Sequence, residues 1–287
     1  MKKYFAVIIF LGISVFGFGQ GFYVKVGAGY AVPMGSQSLF EETDASEILG
    51  NASVVTTKTT IVKGSYGSGI NFNAAAGYKF SPFIGVDLNI SYLMGKEFSS
   101  TSTIETGNNS IFEVGESTKS KGFFFAPAIM FMAGTENIRP YGLVGFIAGS
   151  LKVEDETILF TDNTDTQAMY TVNTEVKGDF AFGFRGGLGV DFNISDRFSI
   201  YVEGIFNSIA YYPKSSEVVV ADIDGDDVLS DLTVRQRETV YVDEITTTSI
   251  NGAIQIDPDE PLQELRSPRP LSSVGVNVGL KIKLGSD

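Results

Sequence analysis

The sequence predicts an all-β fold: an eight-stranded antiparallel up-and-down transmembrane β-barrel with short periplasmic turns and long extracellular loops. Three observations predict it. Eight segments alternate large apolar residues with small or polar ones, the period of two that defines a strand. They are joined alternately by short turns and long connections, and the chain opens with the residue order of an export signal.

Lys2 and Lys3 precede an apolar run from Tyr4 to Phe16, followed by Gly17-Phe18-Gly19. Basic, apolar and small-residue regions in that order make residues 1–19 a secretory signal peptide, cleaved after Gly19, so that 20–287 form the barrel domain. The apolar core is shorter than the roughly 20 residues a spanning helix needs. The chain has no Cys, His or Trp, but 32 Gly and 23 Phe. Without Cys there is no lipoprotein anchor, disulfide or thiolate site, and without His the commonest general base and metal ligand is missing. Loss of Lys2 and Lys3 leaves 19 basic against 34 acidic side chains, a net charge of −15 that argues against nucleic acid as a partner.

Phe22 to Val32 is the first alternating segment, with Tyr23, Lys25 and Gly27 on its small or polar side. Ile70 to Phe80 is the second, Ser81-Pro82 a tight turn, and Ile84 to Met94 the third. Gly122 to Ala133 is more uniformly apolar and carries Pro127, so its register stays open, as does that of the Gly-rich Tyr141 to Val153. Phe180 to Ile194 and Phe198 to Tyr211 flank a Ser195-Asp196-Arg197 turn. Val274 to Leu284 closes the set without a break in its alternation. The long connections cover about 33–69, 99–121, 152–178 and 213–273. Helical signal is confined to Asp44 and Glu47, a capping-box spacing before Ile48, Leu49 and Gly50 that predicts a short helix in the first of these loops.

Short connections at one end, long ones at the other and an even strand number are the layout of outer-membrane barrels, whose sheets close because unpaired edges in hydrocarbon are costly. A soluble barrel would hold its bulky apolar residues inside. Here the second face carries Gly, Asn, Lys, Asp and Arg, which suits the narrow interior of eight strands. Aromatic girdles are expected from Tyr78, Phe80, Phe83, Tyr141, Phe192 and Phe198 at the short-turn end, and from Phe123, Phe124, Phe180, Tyr211 and Tyr212 at the other.

The interior is expected to hold Lys25, Lys79, Asp87, Arg185, Asp191, Glu203, Lys281 and Lys283 as a polar plug. The turns place Lys79 diagonal to Asp87 and bring Arg185 near Glu203. Asp222, Asp224, Asp226 and Asp227 around Gly225 are weak candidates for a Ca²⁺ site, because Gly225 falls at position four of the loop rather than six. Without that motif, a solvated acidic loop is the preferred reading. Gly64, Gly67 and Gly69 lack the Lys-Ser/Thr and the strand-to-helix context of a phosphate loop.

In its strand number, signal and closing strand, the chain resembles the small outer-membrane barrel families, the OmpA-like and OmpW-like transmembrane domains, in versions typical of Bacteroidetes-type bacteria. Asn277, Gly279, Ile282 and Leu284 match the C-terminal signal read by barrel-assembly machinery, although Leu284 stands where an aromatic is usual and Gly285-Ser286-Asp287 follow it. The resemblance implies an outer-membrane location, with lipid, lipopolysaccharide and the assembly machinery as partners. Barrel enzymes of known type need a catalytic His, so no enzyme, catalytic residue or cofactor is expected. A porin-like narrow channel for small or apolar solutes is the alternative to a cell-envelope barrel whose acidic surface loops, above all 213–273, meet an extracellular partner in an adhesin- or receptor-like way.

Overall fold

The computed structural model describes residues 21–35, 37–48, 54–106, 111–133, 137–163, 166–246, 249–250, 253–254 and 257–284. The expected leader, Leu49-Gly50 and Gly285-Ser286-Asp287 lie outside them. The described residues are almost entirely strand. In chain order the strands are β1 (Phe22–Pro33), β2 (Ser38–Ile48), β3 (Val54–Lys63), β4 (Gly69–Lys79), β5 (Ile84–Gly95), β6 (Phe98–Glu105), β7 (Ile111–Met132) and β8 (Ile138–Asn163). They continue with β9 (Thr166–Gly178), β10 (Ala181–Asn193), β11 (Phe198–Tyr211), β12 (Pro213–Ile223), β13 (Asp226–Asp227) and β14 (Glu238–Val242). The short β15 (Ser249–Ile250), β16 (Ala253–Ile254), β17 (Leu262–Leu265) and β18 (Arg269–Pro270) lead to β19 (Ser273–Lys283).

Eight of these strands form a closed antiparallel ring. β1 pairs β4, β4 pairs β5, β5 pairs β7, β7 pairs β8, β8 pairs β10, β10 pairs β11, β11 pairs β19, and β19 returns to β1. They are the eight alternating segments of the sequence. The two open registers are resolved: Phe125 faces Ala148 and Ala128 faces Gly145, and the two rungs between are interrupted around Pro127. Pro has no N–H to donate, and the bare Gly145 lets the Pro127 carbonyl come close: a Cβ there would lie 2.0 Å from it.

The ring's two faces separate cleanly. β4 alternates buried and exposed along nearly its whole length. Large apolar side chains from every ring strand point outward and stay exposed, among them Val26, Phe72, Ile90, Phe125, Val144, Leu188, Val202 and Val278. Lys25, Lys79, Asp87, Arg185, Asp191, Glu203 and Lys281 point inward and are buried, together with Tyr23, Tyr141, Tyr201 and Tyr211. Among the described residues no helix is long and apolar enough to cross a membrane.

Above the ring the sheet continues as a collar, and here the expectation of long loops is corrected. β7 and β8 run 22 and 26 residues, about twice the other ring strands, and remain paired to each other beyond the ring. β2 and β3 make a hairpin whose β2 also pairs β6 in parallel; β6 joins β7, β9 joins β8, β12 joins β9, and β14 and β17 follow. Asp44 and Glu47 lie in β2 rather than in a helix. A one-turn helix is marginal alone, whereas the Thr- and Val-rich β3 offers β2 a full ladder. The single α-helix among the described residues is instead Val234–Arg237, closed by a reciprocal capping box between Thr233 and Gln236.

Candidate functional site

The functional candidate is the inside of the ring, which is filled in two layers. The layer nearer the short turns is ionic. Lys25 Nζ lies 3.0 Å from Asp87 and 3.4 Å from Glu203, both fully within the wall. Tyr23 donates to Asp87 at 2.9 Å and Tyr141 donates to Glu203 at 2.9 Å. Arg185 bridges Glu203 at 3.2 Å and the Asn89 side chain at 3.3 Å, and Lys281 holds Asp191 at 2.5 Å. Tyr201 donates to Asn73 at 2.7 Å, which donates in turn to Asn71. Lys25 and Lys281 face each other directly across β1 and β19, a repulsive pairing relieved by their carboxylates and by tyrosine faces. Lys281 sits 4.2 Å from the Tyr23 ring centroid and Lys25 5.2 Å from that of Tyr201.

Glycine makes this layer possible. Tyr23, Tyr141 and Tyr201 each stand directly across the ladder from a glycine, Gly77, Gly189 and Gly279 respectively. A Cβ on these glycines would sit 2.1, 2.4 and 2.7 Å from the facing tyrosine ring. Each ring lies flat over its partner strand, and only the absence of a side chain leaves room for it.

At the collar end the lumen is closed by an apolar plug. Residues 64–68 and 268–272 fold inward, so that Tyr66 and Leu271 pack against Leu93, Phe124, Ile147, Leu151, Ile209 and Tyr211. The two segments are tied together by Tyr66 N–H to the Pro270 carbonyl at 2.9 Å and Ser65 Oγ to the Ser272 carbonyl at 2.8 Å. Ser120 Oγ donates to the Tyr66 carbonyl at 2.7 Å. Arg269 reaches Asp155 at 3.2 Å, and Thr118 also donates to that carboxylate. Between the two layers lies a cavity of about 40 Å³, edged by Asn71, Arg185 and Asn207 on one side and Leu271 on the other.

Of the residues expected inside, Lys25, Lys79, Asp87, Arg185, Asp191, Glu203 and Lys281 are buried, while Lys283 is half-buried at the short-turn mouth. Lys79 does lie diagonal to Asp87, but Asp87 is engaged by Lys25 and Tyr23 instead. Glu203 faces Gly189 and Arg185 faces Asn207; the guanidinium leans along the strand to close the gap. The girdle expectation fails at three positions, because Tyr141, Phe124 and Tyr211 point inward and are buried. Position near a strand end sets a residue's height and says nothing of its face. Sequence reasoning also missed Arg139 on the inward side of β8, hidden by its neighbour Pro140, and the tucked Tyr66 and Leu271.

The acidic cluster is a tight hairpin. Asp222 pairs Asp227 and Ile223 pairs Asp226 across an Asp224-Gly225 turn whose φ angles are 54° and 96°, the type I′ geometry that Asp-Gly favours. Asp222 accepts the Gly225 N–H, Asp224 that of Met169 and Asp227 that of Leu229. Among the described residues no group of three or more carboxylates is placed to hold a metal ion. In the closing strand Asn277 is buried across from Gly29, Gly279 underlies Tyr201, Ile282 is half-buried, and Leu284 is exposed.

The collar's outer surface begins with a rung of three lysines, Lys121, Lys152 and Lys177, directly opposed on β7, β8 and β9. Glu154 and Glu175 stand one rung above. Glu154 lies 3.3 Å from Lys119 and 3.3 Å from Lys121, and Glu175 lies 2.6 Å from Lys152. Partial burial opposes ionisation of Glu154, but Lys121 and Lys119 hold its carboxyl below the ordinary range.

No family model matches the chain, and no curated protein matches it. Among solved structures it is similar to Acinetobacter baumannii CarO2, at 12% identity over 91% of this chain and 99% of that one, with a TM-score of 0.30.

Proposed function

We propose that this protein is a non-enzymatic outer-membrane β-barrel: the ring spans the bilayer, the short turns face the periplasm, and the collar stands outside as an acidic display surface. The observation that carries this is the inverted wall, with bulky apolar side chains exposed around all eight ring strands and ionised ones buried within. In water such a surface would aggregate; in hydrocarbon it is the stable arrangement. Val274 to Leu284 supplies ten steps of about 3.4 Å, which at a tilt of about 40° rise about 26 Å, matching an apolar band about 25 Å tall. The lysine rung at Lys121, Lys152 and Lys177 then falls at the headgroup level, immediately above the exposed Phe123.

The collar favours an adhesin- or receptor-like envelope role over transport. Pro213 to Ser273 carries 13 carboxylates against 5 basic side chains. It is built as paired strands, a surface firm enough to present to a partner. The signal peptide over residues 1–19 and the assembly role of Asn277, Gly279, Ile282 and Leu284 belong to the same proposal. Folded protein should resist SDS and migrate anomalously until boiled, and should fractionate with outer membranes. A single gel position before and after boiling, together with recovery in the soluble fraction, would refute the proposal. The alternative is a narrow channel. The layered plug favours a closed lumen, and planar-bilayer recordings should be silent; reproducible unitary conductance would establish the channel instead.

A further inference from the structure

The inward ionisable side chains of the ring, below the apolar plug, are unbalanced. Lys25, Lys79, Arg139, Arg185, Lys281 and Lys283 face Asp87, Asp191 and Glu203, six cations to three carboxylates in a chain whose formal net charge is −13. The carboxylates are already engaged. Asp87 belongs to Lys25, Glu203 to Lys25 and Arg185, and Asp191 to Lys281. The surplus gathers at one place. Lys79 near the end of β4, Lys283 at the end of β19 and Arg139 at the start of β8 all point into the short-turn mouth. Among the described residues none of them makes an ion pair or hydrogen bond through its side chain. Lys79 is nine-tenths buried; the charges of Lys281, Arg139 and Lys283 repel it, and Asp191 is the one carboxylate that attracts it. Eight strands enclose a space only wide enough for side chains to meet, so three long cations from three strands converge near the axis.

Like charges gathered out of bulk water repel one another and stay poorly solvated unless a counter-charge joins them. Among the described residues the wall supplies only Asp191, which stands opposite Arg139 and is already held by Lys281. We infer that the short-turn mouth is a binding site for a small soluble oxyanion, of the phosphate or carboxylate class, held by Lys79, Arg139 and Lys283. Arg139 offers the planar fork that matches such a group, and the two lysines supply charge from the opposite side of the ring. Because the cations face the lumen rather than the apolar wall, the site takes a free ion and not a lipid headgroup. This inference does not depend on which compartment the mouth opens to.

The probe is inorganic phosphate, added to the full-length protein folded in detergent at constant pH and ionic strength, with chloride as the balancing salt. Phosphate should raise the unfolding temperature saturably, since a ligand that binds only the folded state stabilises it. Arg139→Gln and Lys283→Gln, at half-buried positions, should each weaken the apparent affinity about tenfold, the loss of one charged hydrogen bond. Lys79→Met should do the same and, by removing the repulsion, should match or exceed the unmutated protein's stability without phosphate; Lys79→Arg should keep the response. A second arm replaces phosphate with micelles doped with phosphatidylglycerol, which should give no stabilisation. A phosphate response no larger than that of chloride, titrations unchanged in Arg139→Gln and Lys283→Gln, or a response to the lipid alone would each overturn the inference. Conductance and gel-shift results leave it untouched.

Discussion

Two strands cross from the ring into the collar without a break, and their sequence changes where they do so. On the outward face of β7, Phe123, Phe125, Ile129 and Phe131 are followed upward by Lys121, Lys119 and Ser117. On β8, Phe146 and Val144 give way to Lys152, Glu154 and Glu156. The ladder hydrogen bonds are the same on both sides of this boundary, so backbone pairing cannot distinguish the regions. What differs is the character of the outward side chains. In the ring, apolar side chains lie outside and charge inside; in the collar, both faces carry Thr, Ser and charged residues. A strand pair holds in either setting, and the side chains decide where it can live.

The comparison breaks most severely inside the ring. Glu203→Leu removes the carboxylate shared by Lys25, Arg185 and Tyr141 and leaves two cations buried without it. That loss should cost about 3–5 kcal/mol, measured as denaturant unfolding from lipid vesicles. A cost below 1 kcal/mol would mean that water fills the lumen and the ion pairs are ornamental.

Next comes the outer wall. Leu188→Arg, at an outward position that is 76% exposed in the bare protein, should cost about 2–4 kcal/mol in a bilayer. Val220→Arg is equally outward but on the collar and should change stability by no more than about 0.5 kcal/mol. Equal costs at both positions would erase the boundary drawn between Lys121 and Phe123.

Gly279 allows its packing role to be separated from the assembly role proposed for it. A Cβ there would lie 2.1 Å from the Val26 carbonyl and 2.7 Å from the Tyr201 ring, so Gly279→Ala should cost about 1–3 kcal/mol as an overpacked site. That loss should show on refolding into detergent, with no assembly machinery present. If the variant refolds normally in vitro yet fails to reach the membrane in cells, the glycine is read only by the machinery.

How far these two regions could be read from the chain differs for the same reason. Ring strands must present one apolar face and one polar face, which writes a period of two into Val274 to Leu284 that survives inspection without any structure. A collar strand wetted on both faces needs no such pattern, so Thr56 to Thr60 or Thr171 to Thr174 look like loop. The Asp224-Gly225 dipeptide did carry a hairpin signal, which the surrounding carboxylates obscured by suggesting a metal loop. Of the site, the ionic residues were legible because charge opposite the apolar face of an alternating strand has only the lumen to occupy. Their partners were legible only in part: Arg185 does meet Glu203, but Lys25 rather than Lys79 meets Asp87, because Lys25 on β1 reaches across β4 to β5, which no local spacing encodes. The tucked segments at Tyr66 and Leu271 left no periodic trace.

The smallest effect tests the collar on its own terms. Glu154→Gln removes a carboxylate that Lys121 and Lys119 hold ionised at an exposed surface, so at neutral pH it should cost less than about 1 kcal/mol. The carboxyl is held below its ordinary value of 4.5 in the folded protein. Its contribution is therefore fully present above that value and disappears as the pH falls through the lowered one, where both folded and unfolded states are protonated. Unfolding measured from pH 7 down to pH 3 should show the unmutated protein and Glu154→Gln converging at the acid end, and raised salt should narrow the gap at pH 7. The lumen should behave differently in salt: the penalty of Glu203→Leu lies out of reach of mobile ions and should stay nearly constant over the same range. A salt response of equal size in both variants would mean that the ring shelters its charges no better than the collar does.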